Sequence, residues 1–150
     1  MNIKVVGIDL AKHYFQVCVL TEENKIHSNK KVTRSRLLSV VRQFPEGTLI
    51  AMEACGSSNY WARTFAKMGF KIKLIPPQHV KPFVGHQKND ANDARDICEA
   101  ANRPSIHSVP TKTVELQDIK SIRCIRQSRV DQRLAAANQL KSLASEYGVI

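Results

Sequence analysis

Apolar positions recur along this chain in two rhythms. From Lys4 to Leu10 (KVVGIDL) the run Val5-Val6-Gly7-Ile8 is continuous, as in a strand covered on both faces. Tyr14–Leu20 (YFQVCVL) predicts a second strand, Glu22-Glu23-Asn24 a polar turn, and Ile26–Val32 the third strand of a meander. The period then lengthens. Thr33 is placed to cap a helix running to Phe44, with Leu37, Leu38, Val41 and Phe44 on its apolar face and Pro45 and Gly47 closing it. Thr48–Met52 is a short apolar strand ending at Glu53. Ser57 or Ser58 begins a helix through Met68, with Gly69 to terminate it. Phe70–Ile75 alternates, with Phe70, Ile72 and Leu74 on one face, and Pro76-Pro77 stops it.

His79 to Asn89 has no clean period and reads as a connecting segment. A helix is predicted from about Asp90 to Asn102, before Pro104, and a loop reaches Pro110. From Thr113 to Tyr147 the chain is helical in pattern without a Gly or Pro, long enough for a projecting helix or coiled coil. Ala136, Leu140, Leu143 and Tyr147 keep a 4-3-4 spacing, whereas Ile119, Ile122 and Ile125 drift around the helix. The order βββαβαβα, then a long helix, predicts an α/β fold with a mixed five-stranded sheet, as in the ribonuclease-H-like layout. Residues 1–104 form the expected sheet domain and 111–150 the long helix. An α/β domain with no special chemistry is the plain alternative.

Charge narrows the partners. Lysine and arginine total 23 against 13 acidic residues, a formal net charge of +10, which favours nucleic acid over a merely basic soluble protein. The 43% hydrophobic content suffices for a single core. Cys18, Cys55, Cys98 and Cys124 are far apart with no CxxC pair, which argues against a zinc ribbon. They sit in mostly apolar stretches as small hydrophobes, fitting a reducing, cytoplasmic setting. No apolar run reaches membrane-spanning length, and the strand-like start leaves no room for a signal peptide.

Four carboxylates stand out. Asp9 and Glu53 each end an apolar strand; taken singly, each is more often a turn residue. Asp90 and Asp93 are three apart, hence neighbours on a helix. Ala94, Ile97, Cys98 and Ala101 form that helix's apolar stripe; Asp90 shares its angle and Asp93 lies at its edge, so both should face the sheet, while Asp96 and Glu99 should be solvated. Asp93 can also be read as a first-turn acid favoured by the helix dipole. Converging carboxylates require a cation, and oxygen-only ligands suit Mg²⁺ or Mn²⁺, two of which can clamp a phosphodiester displacement. Lys12, Lys88 and Arg95 flank the set as candidate phosphate contacts, against an ordinary reading as surface charge. Arg123, Arg126, Arg129 and Arg133 cover about a third of the long helix's circumference, which suits phosphate contact as well as it suits a solvated face. Tyr60 and Trp61 could stack on bases, but their helical spacing with Phe65 favours the core. None of the five histidines has a metal-ligand spacing.

The segments GIDLAKHYFQV, AMEACGSSNYWAR and QKNDANDARDICEA, in that order, resemble the DEDD-type insertion-sequence transposases related to the pilin-gene invertases, over nearly the whole chain. The resemblance implies an N-terminal domain similar to the junction resolvase RuvC, with Asp9, Glu53, Asp90 and Asp93 as its acidic set. Family members typically carry Thr where this chain has Asn89. It also implies a C-terminal domain bearing a serine nucleophile, which this chain does not contain, so no serine is carried over and the chain alone is expected to be incomplete for recombination. It further implies DNA strand cleavage and exchange with Mg²⁺ or Mn²⁺ and an element-encoded guide RNA; the long helix suggests a homo-oligomer, and the short apolar runs suggest no membrane association and a nucleoid-associated cytoplasmic location. The alternatives are a stand-alone junction resolvase and a non-catalytic domain that binds guide RNA and dimerises. A sugar-kinase or actin-like ATPase half, suggested by GIDLAK, lacks the further Gly-rich phosphate motifs that class needs.

Overall fold

The computed structural model describes residues 2–80 and 90–149, with the side chains of Asp90 and Ala91 outside the description. The chain divides into two compact units, Met1–Thr111 and Lys112–Ile150. In the first unit, β1 (Ile3–Leu10), β2 (Tyr14–Thr21), β3 (Ile26–Thr33), β4 (Leu49–Glu53) and β5 (Lys71–Ile75) build one sheet in the order β3-β2-β1-β4-β5. The meander pairs antiparallel, whereas β1–β4 and β4–β5 pair parallel. This is the mixed five-stranded α/β sheet of the ribonuclease-H-like fold, followed by a long C-terminal helix. The parallel half sits next to helical crossovers because parallel neighbours cannot be joined by a tight turn.

Alternation along the strands sends side chains to two layers. On one face Val6, Ile8, Phe15, Val17, Ile50, Met52 and Leu74 pack against α1 (Leu37–Val41) and α2 (Ser58–Lys67). Trp61 is the keystone of this layer. Its ring meets Phe15 edge-on at 5.4 Å and stacks on Phe65 at 5.5 Å. On the other face Val5, Cys18, Leu20, Ala51 and Ile75 carry α4 (Asp90–Ala101) and the one-turn helix α3 (Pro77–Val80). Gly7 is what lets α4 sit so low. A Cβ there would lie 2.5 Å from Cys98 Sγ and 2.6 Å from the Ala94 carbonyl oxygen, so only glycine admits the helix at this height.

Several predicted boundaries move. Thr33 closes β3 instead of capping a helix, and α1 shortens to Leu37–Val41 with Arg36 at its N-cap and no side-chain cap bond. Pairing of Thr33 with Tyr14 fixes its backbone in the ladder, which overrides its capping preference. Pro77 starts α3 after Pro76 ends β5, a helix hidden from periodicity by its single turn. Gly69 ends α2's turn with φ +87, as its position predicts.

The second unit is α5 (Val114–Ser145), a single helix of 32 residues, about 48 Å long at 1.5 Å per residue. Thr113 caps it by accepting a hydrogen bond from the Leu116 amide at 3.3 Å. No α5 residue is buried, and Ile119, Ile122, Ile125, Leu140 and Leu143 are each more than half exposed.

Candidate active site

Asp9 and Glu53 come together through register alone. β1 pairs parallel to β4 with Ile8 opposite Met52, so the next residue on each strand, Asp9 and Glu53, stands at the same level. Counting by twos from Val5 and Ala51 places both on the α4 face, at the C-terminal ends of neighbouring strands. Both are half-buried. The backbone after Glu53 is fixed at three points. The Ala54 amide donates to the Ile75 carbonyl at 2.8 Å, the Cys55 amide donates to the Glu53 carbonyl at 2.8 Å, and Ser58 Oγ donates to the Cys55 carbonyl at 2.8 Å. Ser57 closes the bend in the left-handed region at φ 67, a strain of roughly 1 kcal/mol for a non-glycine residue, and its side chain makes no cap bond. Burial raises the Cys55 thiol pKa, and the charges of Glu53 and then Asp9 raise it further, so both carboxylates act on the same point.

The helix above supplies the other acids. Ala94 and Cys98 lie over Gly7, two residues before Asp9, so the middle of α4 crosses β1 near its acidic end. Asp93 is half-buried, and its Oδ1 is buried with no hydrogen-bond partner among the described residues. An orphaned carboxylate oxygen suits a hard divalent cation, and with Asp9 and Glu53 the donor set is all oxygen. Among the described residues no group of three or more His, Cys, Asp or Glu side chains is close enough to hold a metal, so Asp93 is not closed onto the Asp9–Glu53 pair in this arrangement. Asp90 heads α4, one turn before Ala94, and Lys88 lies outside the described residues.

Asp96 departs from expectation. It is 6% exposed, not solvated, and its Oδ2 has no hydrogen-bond partner among the described residues. Ala100, one turn on, is fully buried too, so this flank of α4 is covered as well as the predicted stripe. Besides the sheet below it, α4 has α3 packed beside it. Burial raises the Asp96 pKa to about 6, with Glu99 and then Asp93 adding repulsion and Arg95 opposing. Glu99 is half-exposed and accepts from Arg95 Nε at 2.9 Å, so Arg95 is already paired on the outer face.

The remaining candidates sort by place. Lys12 is exposed in the turn after β1. Arg123, Arg126, Arg129 and Arg133 are all exposed on α5. Ile119, Ile122, Arg126, Arg129, Arg133, Ala136, Leu140 and Leu143 keep an alternating 3 and 4 spacing, a line that drifts about 20° per heptad on a straight helix. The arginine arc therefore interrupts the apolar line instead of lying opposite it. Trp61 is core at 3% exposure, as its spacing predicts, whereas Tyr60, expected in the core with it, is 51% exposed because it stands about 100° further round α2. Cys18 and Cys98 are buried as expected of small hydrophobes, whereas Cys124 is exposed on α5. The hydrogen bond with Cys18 and burial both hold the Cys98 thiol protonated, which marks it as packing and not as a nucleophile.

Residues 6–149 match the family of DEDD transposases of the IS110 type. The chain belongs to this family. It is 45% identical over 148 residues to a protein described as the transposase for insertion sequence element IS1111A of Coxiella burnetii, covering 99% of this chain and 40% of that one. It is 42% identical over 150 residues to a probable family 20 transposase of Pseudomonas aeruginosa, covering 100% and 44%. It is 34% identical over 148 residues to the transposase for insertion sequence element IS1328 of Yersinia enterocolitica, covering 99% and 44%. The chain thus spans about two-fifths of the length of these curated relatives. No helix among the described residues of this transposase-family chain is long and apolar enough to cross a membrane.

Proposed function

We propose that the chain is the N-terminal catalytic domain of a DNA transposase, in which Asp9, Glu53, Asp90 and Asp93 hold Mg²⁺ or Mn²⁺ for DNA strand cleavage and exchange. The observation that carries this reading is the parallel register that sets Asp9 beside Glu53 on the face covered by α4. Bound there, a divalent cation supplies charge stabilisation to the attacking and leaving oxygens of a phosphodiester. The chain's own part would be to present these carboxylates from two strand ends and from α4, which seats over Gly7. A serine nucleophile, expected from the family pattern beyond this chain, completes the reaction in the longer protein. Lys12, Lys88 and Arg95 would engage DNA backbone, and the arginine arc of α5 an element-encoded guide RNA.

Titration with Mn²⁺, followed by calorimetry on the wild type and on Asp9→Asn and Glu53→Gln, tests the site. Each variant should lose most of the binding; equal binding by all three would remove the cluster as a metal site. A second reading, a non-catalytic guide-RNA-binding and dimerising domain, is favoured by α5, whose apolar line and arginines are all exposed. It predicts intact RNA binding with no effect of Asp9→Asn on recombination by the longer protein.

A further inference from the structure

A second feature lies at the same end of the sheet as Asp9 and Glu53. The turn after β1 brings His13 and Tyr14 against the end of β3, where the Arg34 amide donates to the His13 carbonyl at 3.1 Å. Together with Thr33, Arg34, Ser35 and Trp61 they line an open pocket of roughly 750 Å³. None of these residues is acidic. The Arg34 guanidinium sits 5.3 Å over the Trp61 ring and 5.8 Å from Phe15, which holds a cation at the pocket. The Thr33 and Ser35 hydroxyls lie 3.2 Å apart, and both residues are exposed. Trp61 lines the pocket while its buried Nε1 donor has no acceptor among the described residues. Tyr60 stands edge-on to Trp61 at 5.1 Å with half of its surface in solvent. A fixed guanidinium, two hydroxyls and an exposed aromatic ring are what a nucleic-acid strand with accessible bases requires.

We propose that this pocket holds a phosphodiester of a single-stranded nucleic acid, with Arg34 and the neighbouring hydroxyls on the phosphate and the Tyr60 ring as the platform for an adjacent base. The proposal rests on the reading of the chain as a nucleic-acid enzyme and adds where the strand lies. The two strands that end in the acidic pair also lead into the pocket walls, β1 through His13 and Tyr14 and β4 through the bend that starts α2. The pocket lies on the α1–α2 face at this end of the sheet, and Asp9 and Glu53 stand on the other face. A duplex keeps its bases stacked and offers Tyr60 no face, so the pocket selects unpaired segments.

The test is binding of the chain, in EDTA, to fluorescein-labelled oligo-dT, oligo-U and a mixed duplex of about 20 nucleotides, a length that exceeds one site. Tyr60→Ala should weaken single-strand binding at least about fivefold and leave duplex binding within about twofold. Ser35→Glu, at an exposed position beside Arg34, should weaken it too and lower the log–log salt slope by about 0.7, the loss of one phosphate contact. The chain has a single tryptophan, Trp61, so wild-type emission should shift on saturation with the strand, a readout that needs no variant to fold. Tighter binding of oligo-dT assigns the pocket to DNA, and tighter binding of oligo-U assigns it to RNA. Folded variants that bind like wild type, or Trp61 emission blind to a bound strand, overturn the pocket alone. A wild-type chain that binds no nucleic acid overturns the proposed function with it.

Discussion

Replacing Gly7 by alanine tests how α4 is held over the strand that carries Asp9. The added methyl would meet Cys98 Sγ at 2.5 Å and the Ala94 carbonyl oxygen at 2.6 Å. Ordinary contacts for a methyl begin near 3.4 Å, so relief requires a movement of roughly 1 Å. The thiol can turn aside, but the carbonyl belongs to the helix backbone and moves only if α4 lifts. Lifting loosens the packing of Ala94, Ile97, Cys98 and Ala101, all buried against Val5, Cys18 and Ala51. Overpacking of this kind costs about 2–3 kcal/mol, which for a unit of about a hundred residues lowers Tm by roughly 8–15 °C. Removing the thiol in Gly7→Ala/Cys98→Ala relieves the side-chain clash but leaves the carbonyl, so the double variant should show a smaller loss than the two single losses combined while staying below wild type. Differential scanning calorimetry and urea titration of the four proteins give the cycle. A Gly7→Ala protein melting within about 2 °C of wild type would refute the close seating of α4.

The Asp96 carboxyl, raised from 3.8 to about 6, keeps its proton in the folded chain where the unfolded chain has lost it. Stability should therefore fall as pH rises from about 4 to about 6 and level off above, by at most about 3 kcal/mol. Asp96→Asn should flatten that segment of the urea-denaturation profile and be more stable than wild type at neutral pH; an unaltered profile would rule out burial of this acid. Lys73 Nζ donates to the Ala101 carbonyl at 2.8 Å and so neutralises the C-terminal end of α4. Lys73→Met should cost about 1 kcal/mol, measured by chemical denaturation, with no loss marking the contact as idle. Thr113→Ala should remove the N-cap of α5 at a cost of about 1 kcal/mol, seen as faster hydrogen exchange of the Leu116 amide.

What the residue pattern reveals depends on range. Strand alternation and helix period locate β1, β2, β4, β5, α2 and α4 because each buries a face against a large neighbour. The same period fails for α3, a single turn that Pro77 starts, and for Thr33, which the ladder to Tyr14 holds extended. Asp9 and Glu53 are visible as strand ends, but their adjacency is a matter of pairing and register, which no local window contains. Asp93 was legible as an edge residue of the α4 stripe. Asp96 was not, because its burial is tertiary and the wheel describes one helix at a time. Tyr60 and Trp61 are neighbours in sequence with opposite fates, since consecutive residues on α2 stand about 100° apart and only Trp61 turns into the sheet.

β1 and β4 are neighbours in the sheet but β2, β3 and α1 separate them in the chain, so the acidic ends cannot meet until those elements have been synthesised. A ribosome delivers Asp9 long before Glu53, and α4 with its carboxylates later still. A nascent chain thus carries the two acids apart, and their adjacency is a late product of sheet closure. Order of synthesis thereby leaves the two acidic strand ends apart until the body that positions them exists.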